Sequence, residues 1–213
     1  MLFPDRHDAG KQLAQQLLQR QYKSPFVMAL PRGGVVVGYE VAKALNAPLD
    51  VLVVRKLGVP DQPELAMGAI ADNGVCILNQ QLIHMLKIPE WQVKAAIEKE
   101  QRELERRLAL YRGDRPMPDL KDKSVILVDD GLATGATARA AIRLLRQIRP
   151  LKVILAIPVC APDTAASLGR EVDELICLSL PTHFGGVGAW YQDFQQTSDE
   201  EVVELLRLTS KVL

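Results

Sequence analysis

Two adjacent aspartates, Asp129 and Asp130, follow a run of four apolar residues and precede a loop of small residues, so that 125–137 reads VILVDDGLATGAT. Four apolar residues make a short buried strand, and the pair stands at its carboxyl end. That is the edge where open α/β sheets bind ligands. The loop from Gly131 to Thr137 has little side-chain bulk near its end, so its backbone N–H groups are accessible. It leads into a helix, whose N-terminus carries partial positive charge. Such a turn cradles a phosphate, and the hydroxyls of Thr134 and Thr137 add donors. The carboxylates would repel a phosphate. They suit hydroxyls one sugar's width away, which is the layout of a ribose 5-phosphate. Two other phosphate loops fit worse. A Walker A loop needs Lys after its last Gly, and Gly33-Gly34-Val35-Val36-Val37-Gly38 lacks the dinucleotide spacing.

The elements that must position this motif alternate in type. Apolar strand-like runs fall at 25–30, 49–54, 75–78, 125–128, 153–157 and 174–178. Helical patterns fall at 35–45 and 136–148, the second with Ile142, Leu145 and Ile148 on one side. Alternation of this kind predicts an α/β fold, a parallel twisted sheet flanked by helices. Unbroken apolar strands fit burial on both faces. Residues 90–112 predict a long charged helix, with Glu98/Arg102 and Glu103/Arg107 at i,i+4, read as a peripheral arm or an oligomer contact. A last helix is expected over 199–208, with Ser198 as N-cap and Glu201 completing a capping box.

The chain has 213 residues, which is one large domain or at most two small ones. Lys plus Arg and Asp plus Glu are both 26, so the formal charge is zero and a general nucleic-acid surface is not indicated. No apolar run approaches the roughly 18 residues of a membrane span. The N-terminus lacks the apolar stretch of a secretory signal. Three scattered cysteines form no CxxC pair, which argues against a zinc site or a disulfide frame. The expectation is a soluble, cytoplasmic protein.

The motif at 125–137 resembles the phosphoribosyl pyrophosphate (PRPP) site of type I phosphoribosyltransferases, with one departure. Gly131 stands where the family usually has a branched apolar residue. The resemblance spans roughly residues 26–180 and implies a Rossmann-like core with a small hood. On that reading residues 1–213 form a single domain: a core over about 24–180, a helical insertion over about 80–115, and a hood built from the N-terminal and 180–196 segments.

The resemblance implies magnesium-dependent transfer of the 5-phosphoribosyl group from PRPP to a nitrogen acceptor, a nucleobase or similar heterocycle, with release of pyrophosphate. Asp129 and Asp130 would hold the ribose hydroxyls. Ala133, Thr134, Gly135, Ala136 and Thr137 would anchor the 5-phosphate. Arg32, Gly33 and Gly34 match the pyrophosphate loop, in which the family often joins the basic residue to Gly by a cis peptide. Arg55 and Lys56 resemble the cationic start of a mobile catalytic lid extending to about residue 69, with Glu64 as a candidate acid or base. Magnesium would be held mainly through PRPP, with no all-protein metal site. Four of the ten aromatics, Phe184, Trp190, Tyr191 and Phe194, lie within eleven residues. Trp190 and Tyr191 are candidate stacking surfaces for the acceptor. Ala133 replaces the Asp of hypoxanthine-guanine enzymes, which argues against that acceptor. A homodimer fits the family's habit. The competing reading is a non-catalytic PRPP or nucleotide sensor on the same fold. A PRPP synthetase-like role would need an ATP site that the sequence does not offer.

Overall fold

The computed structural model describes residues 2–210, apart from the side chains at 63, 64, 73 and 210. The central sheet is parallel, in the order β2 (Leu49–Val51), β1 (Pro25–Ala29), β6 (Ser124–Val128), β7 (Lys152–Val159), β8 (Glu174–Ser179). Every residue of β6 is buried, as a strand covered on both faces requires. On one face, α5 (Ala136–Ile148) and α6 (Pro162–Leu168) cover Val125, Leu127, Val153 and Leu155. On the other, α1 (Arg6–Leu18) and α2 (Gly33–Leu45) cover Val27, Ile126 and Ile154. The helix α1 is not foreseen in the sequence reading. Asp5 caps it, accepting a hydrogen bond from the Asp8 N–H at 2.7 Å.

A second sheet departs from the expectation. The run 49–54 breaks after Val51, and Val54–Val59 becomes β3 of an antiparallel sheet with β4 (Gln62–Ala71) and β5 (Val75–Leu78), in the order β3-β4-β5. The segment read as a mobile lid is therefore a hairpin. The run 75–78 belongs to this small sheet rather than to the parallel one. Short apolar runs look alike in both settings, because each buries the same side chains. A short helix, α3 (Gln80–Met85), leads into the long helix α4 (Glu90–Tyr111).

The helix α4 is less free than a peripheral arm. It buries Val93, Leu104 and Tyr111 in a core shared with β3, β4 and α7 (Asp199–Ser210). Of its two expected pairs, Glu103–Arg107 forms at 2.7 Å. At the start of α7, Ser198 Oγ accepts the Glu201 N–H at 3.1 Å, one half of the expected capping box. The two segments expected to form the hood meet: Phe3 bridges to Tyr191, with the Phe3 N–H donating to Trp190 O at 2.9 Å. Among the described residues no helix is long and apolar enough to cross a membrane.

Candidate active site

Strand β6 delivers Asp129 and Asp130 to its carboxyl end, half-buried, beside the N-terminus of α2. The approach is close enough that only glycine fits at the first two positions of α2. A Cβ on Gly33 would collide with Asp130 Oδ2, and one on Gly34 would stand 2.9 Å from Asp129 Cα. The Arg32-Gly33-Gly34 turn and the acidic pair thus form one surface, although they are almost a hundred residues apart in sequence. The cis peptide lies between Pro31 and Arg32, one bond earlier than the Arg32–Gly33 bond expected from the resemblance. Arg32 Nη1 lies 3.8 Å from Asp199 Oδ1 at the start of α7.

The loop after the pair is held from behind. The Leu132 N–H donates to Val159 O at 3.0 Å, and Thr164 Oγ1 donates to Ala133 O at 2.5 Å. Gly135 precedes α5 with φ +69°, a left-handed conformation that suits glycine. Ala133, Thr134 and Thr137 are exposed on this turn, Ala136 is half-buried and Gly135 is buried. Gly131, the departure from the family pattern, has a structural counterpart in the hood. A Cβ there would meet Val187 Cγ1 at 2.5 Å, so Val187 fills the space a branched side chain would take.

The two carboxylates are tied to each other and to their neighbours. Asp129 Oδ1 accepts the Asp130 N–H at 2.9 Å, and Asp130 Oδ2 accepts Arg6 Nε at 2.7 Å. Burial, then the Asp130 charge beside it, pushes the Asp129 carboxyl well above the ordinary range. Burial also raises Asp130, and the hydrogen bond and charge of Arg6 pull it back. A carboxyl raised in the fold destabilises it once ionised. Stability is greatest below the unfolded value and falls as pH rises through the folded one. Asp129→Asn is therefore expected to melt at a higher temperature than the parent chain at pH 8. The gain should vanish below about pH 4, where the parent carboxyl is protonated in both states. Thermal melts at the two pH values check this.

Arg55 and Lys56, on β3, line a cavity of about 580 Å³ together with Thr137, Lys99 and Glu100. The hairpin thus brings the cationic pair to the turn at Thr137. Glu100 of α4 holds Arg55, with Nε 2.8 Å and Nη2 2.6 Å from its Oε2. Glu64 falls on β4 and its side chain lies outside the described residues. Among the described residues no three His, Cys, Asp or Glu side chains gather as a metal cluster.

In the hood the two aromatic candidates separate. Tyr191 is 5% exposed. Its ring packs between Phe3, with centroids 5.5 Å apart, and Phe194, at 5.0 Å. Its hydroxyl donates to Asp130 O at 2.5 Å, and burial pushes the phenol far above its usual range, so it stays protonated. The expectation that Tyr191 stacks on an acceptor is corrected: it belongs to the hood's own core. Trp190 is half-buried, with Nε1 donating to Phe184 O at 2.8 Å. Sequence reasoning missed Arg6 and Glu100, which meet Asp130 and Arg55 across 124 and 45 positions. No local pattern signals contacts of that span.

A family model described as "Phosphoribosyl transferase domain" matches residues 4–189. Two Mycobacterium tuberculosis proteins, "Putative phosphoribosyl transferase Rv0571c" of strain H37Rv and "Putative phosphoribosyl transferase MT0597" of strain CDC 1551, are each 49% identical over 205 residues. Those matches cover 96% of this chain but 46% of each relative, so the chain spans less than half their length. The crystal structure of TT1426 from Thermus thermophilus is similar at a TM-score of 0.87 and 39% identity, covering 97% of this chain and 98% of that one. The match at 4–189 takes in the turn at Arg32, the hairpin carrying Arg55 and the acidic pair with the turn after it, and on it the chain belongs to the phosphoribosyl transferase domain family.

Proposed function

We propose that the chain catalyses magnesium-dependent transfer of the 5-phosphoribosyl group from PRPP to a ring nitrogen of a nucleobase or similar heterocycle, releasing pyrophosphate. One observation carries the reading. The acidic pair, the glycine-led phosphate turn and the Arg32 turn share one sheet edge, and the Arg55/Lys56 hairpin opens onto the same turn. Asp129 and Asp130 accept the ribose 2- and 3-hydroxyls. The N–H groups of residues 133–137 and the hydroxyls of Thr134 and Thr137 hold the 5-phosphate. Arg32, Arg55 and Lys56 face the pyrophosphate, with the backbone of Gly33 and Gly34 allowing its close approach.

The acceptor nitrogen forms a bond to C1 of ribose as the C1–O bond breaks, and the bonding pair leaves on pyrophosphate. Positive charge grows on the sugar and negative charge on the leaving group, so catalysis is positioning and electrostatics. Magnesium, when bound through the diphosphate, supplies further neutralisation of the leaving group. Arg55 must exchange Glu100 for pyrophosphate, which the adjoining cavity permits. Trp190 is the ring proposed to face the acceptor. Glu64 is the group proposed to move the acceptor's proton.

Pyrophosphate release from PRPP, followed across a panel of heterocycles beginning with adenine and uracil, tests the reading. Acceptor-dependent release with at least one of them is expected. PRPP binding without release for any acceptor would favour the sensor.

A further inference from the structure

Arg6 is the strongest group outside the expected site. It belongs to the first turn of α1, yet its side chain is only 11% exposed. Its Nε donates to Asp130 Oδ2 at 2.7 Å and its Nη1 donates to Gln195 O at 2.7 Å. The guanidinium carbon lies 3.9 Å from the Phe194 ring centroid, a cation–π distance. One side chain therefore ties the acidic pair, the hood backbone and the hood aromatics together. A planar fork can satisfy two acceptors at once while stacking on a ring, and a lysine cannot.

We propose that Arg6 is a positioning residue of the ribose site, fixing the Asp130 carboxylate in the orientation and charge state that ribose hydroxyls require. The inference rests on the phosphoribosyl-transfer reading above. Its physical basis is the crowding of two carboxylates at one buried strand end. Hydroxyl groups donate to an ionised carboxylate more strongly than to a protonated one. Two adjacent carboxylates partly withdrawn from water resist being ionised together. The groups facing Asp130 are Asp129 beside it, Arg6 from α1 and the Tyr191 phenol from the hood, and α2 faces it with Gly33. Of these, Arg6 alone brings a full positive charge. It engages Asp130 through Oδ2 at 2.7 Å.

PRPP titration by calorimetry with magnesium, from pH 5 to 9, tests the proposal on the parent chain, Arg6→Gln and Arg6→Lys. Arg6→Gln is expected to weaken PRPP by about tenfold near neutral pH and to move the acid limb of binding up by about one pH unit. Removing the cation raises Asp130, so the ionised form is lost at a higher pH. Arg6→Lys should keep the acid limb near the parent's, because the charge remains. A merely structural role would lower the melting temperature without moving that limb. Parent binding with an Arg6→Gln profile superimposable on it overturns the proposal alone. A parent chain that binds no PRPP overturns the reading on which it rests. NMR titration of aspartate carboxyl carbons in the parent does not depend on Arg6→Gln folding. Asp130 should titrate below Asp129, and the reverse order overturns the proposal.

Discussion

Arg112→Met lowers folding stability by about 3–5 kcal/mol, the loss typical of stripping one partner from a buried ion pair. Arg112 caps the end of α4 and is buried. Its Nε lies 3.1 Å from Asp50 Oδ2, its Nη1 donates to Asp72, and its Nη2 donates to Val51 O at 2.7 Å. Three segments converge there: the end of α4, edge strand β2 of the parallel sheet, and the turn after β4. This is the bolt between the two sheets. Without the guanidinium, two buried carboxylates face each other. Burial already pushes the Asp50 carboxyl above its ordinary range even with Arg112 present. Urea unfolding measures the loss. The triple variant Arg112→Met/Asp50→Asn/Asp72→Asn should recover much of it, because no charge is then stranded. A loss under about 1 kcal/mol for Arg112→Met would show that the bolt is not needed.

Gly135→Val is expected to distort the turn before α5 and to spare the fold. The valine would need φ near +69°, a conformation β-branched residues disfavour. Its Cβ would also lie 2.7 Å from Thr164 Cγ2 and 2.9 Å from Leu168 Cδ1. Helix α6 is packed into the core through Ala165 and Leu168, so the turn is what yields. Its N–H groups then no longer converge. PRPP affinity should fall by at least about a hundredfold, or roughly 2.7 kcal/mol. Far-UV circular dichroism should match the parent. Binding within threefold of the parent would mean that the turn does not hold the phosphate.

The parts of this site that the sequence displays are those made by contiguous residues. Strand β6, the acidic pair, the glycine-led turn and α5 follow each other within 25 positions, and each step carries a local signal. The Arg32-Gly33-Gly34 turn follows β1 in the same way. The small sheet was less legible. The β4 residues QPELAMGAIA contain Pro and Gly and lack strict alternation, so they read as a loop. In the structure β4 pairs with β3 and β5, and Met67 and Ile70 enter the core beside Val93 and Leu104 of α4. The long-range ion pairs were the least visible. Arg6–Asp130, Arg55–Glu100 and Arg112–Asp50 each join residues far apart, and a surface arginine has the same local sequence as a buried one. Tyr191 marks the opposite failure. Its cluster was visible, but whether a ring faces ligand or core depends on Phe3, nearly the whole chain away.

The acidic pair and the turn after it are assigned to the ribose phosphate of PRPP, and every catalytic role above depends on that assignment. Its decisive test is calorimetric titration of PRPP into the purified chain, with and without magnesium, beside Asp129→Asn/Asp130→Asn. Saturable, magnesium-dependent binding is expected for the parent, lost in the double variant while it still melts cooperatively. No heat of binding at millimolar PRPP, or equal binding by the double variant, would overturn the assignment.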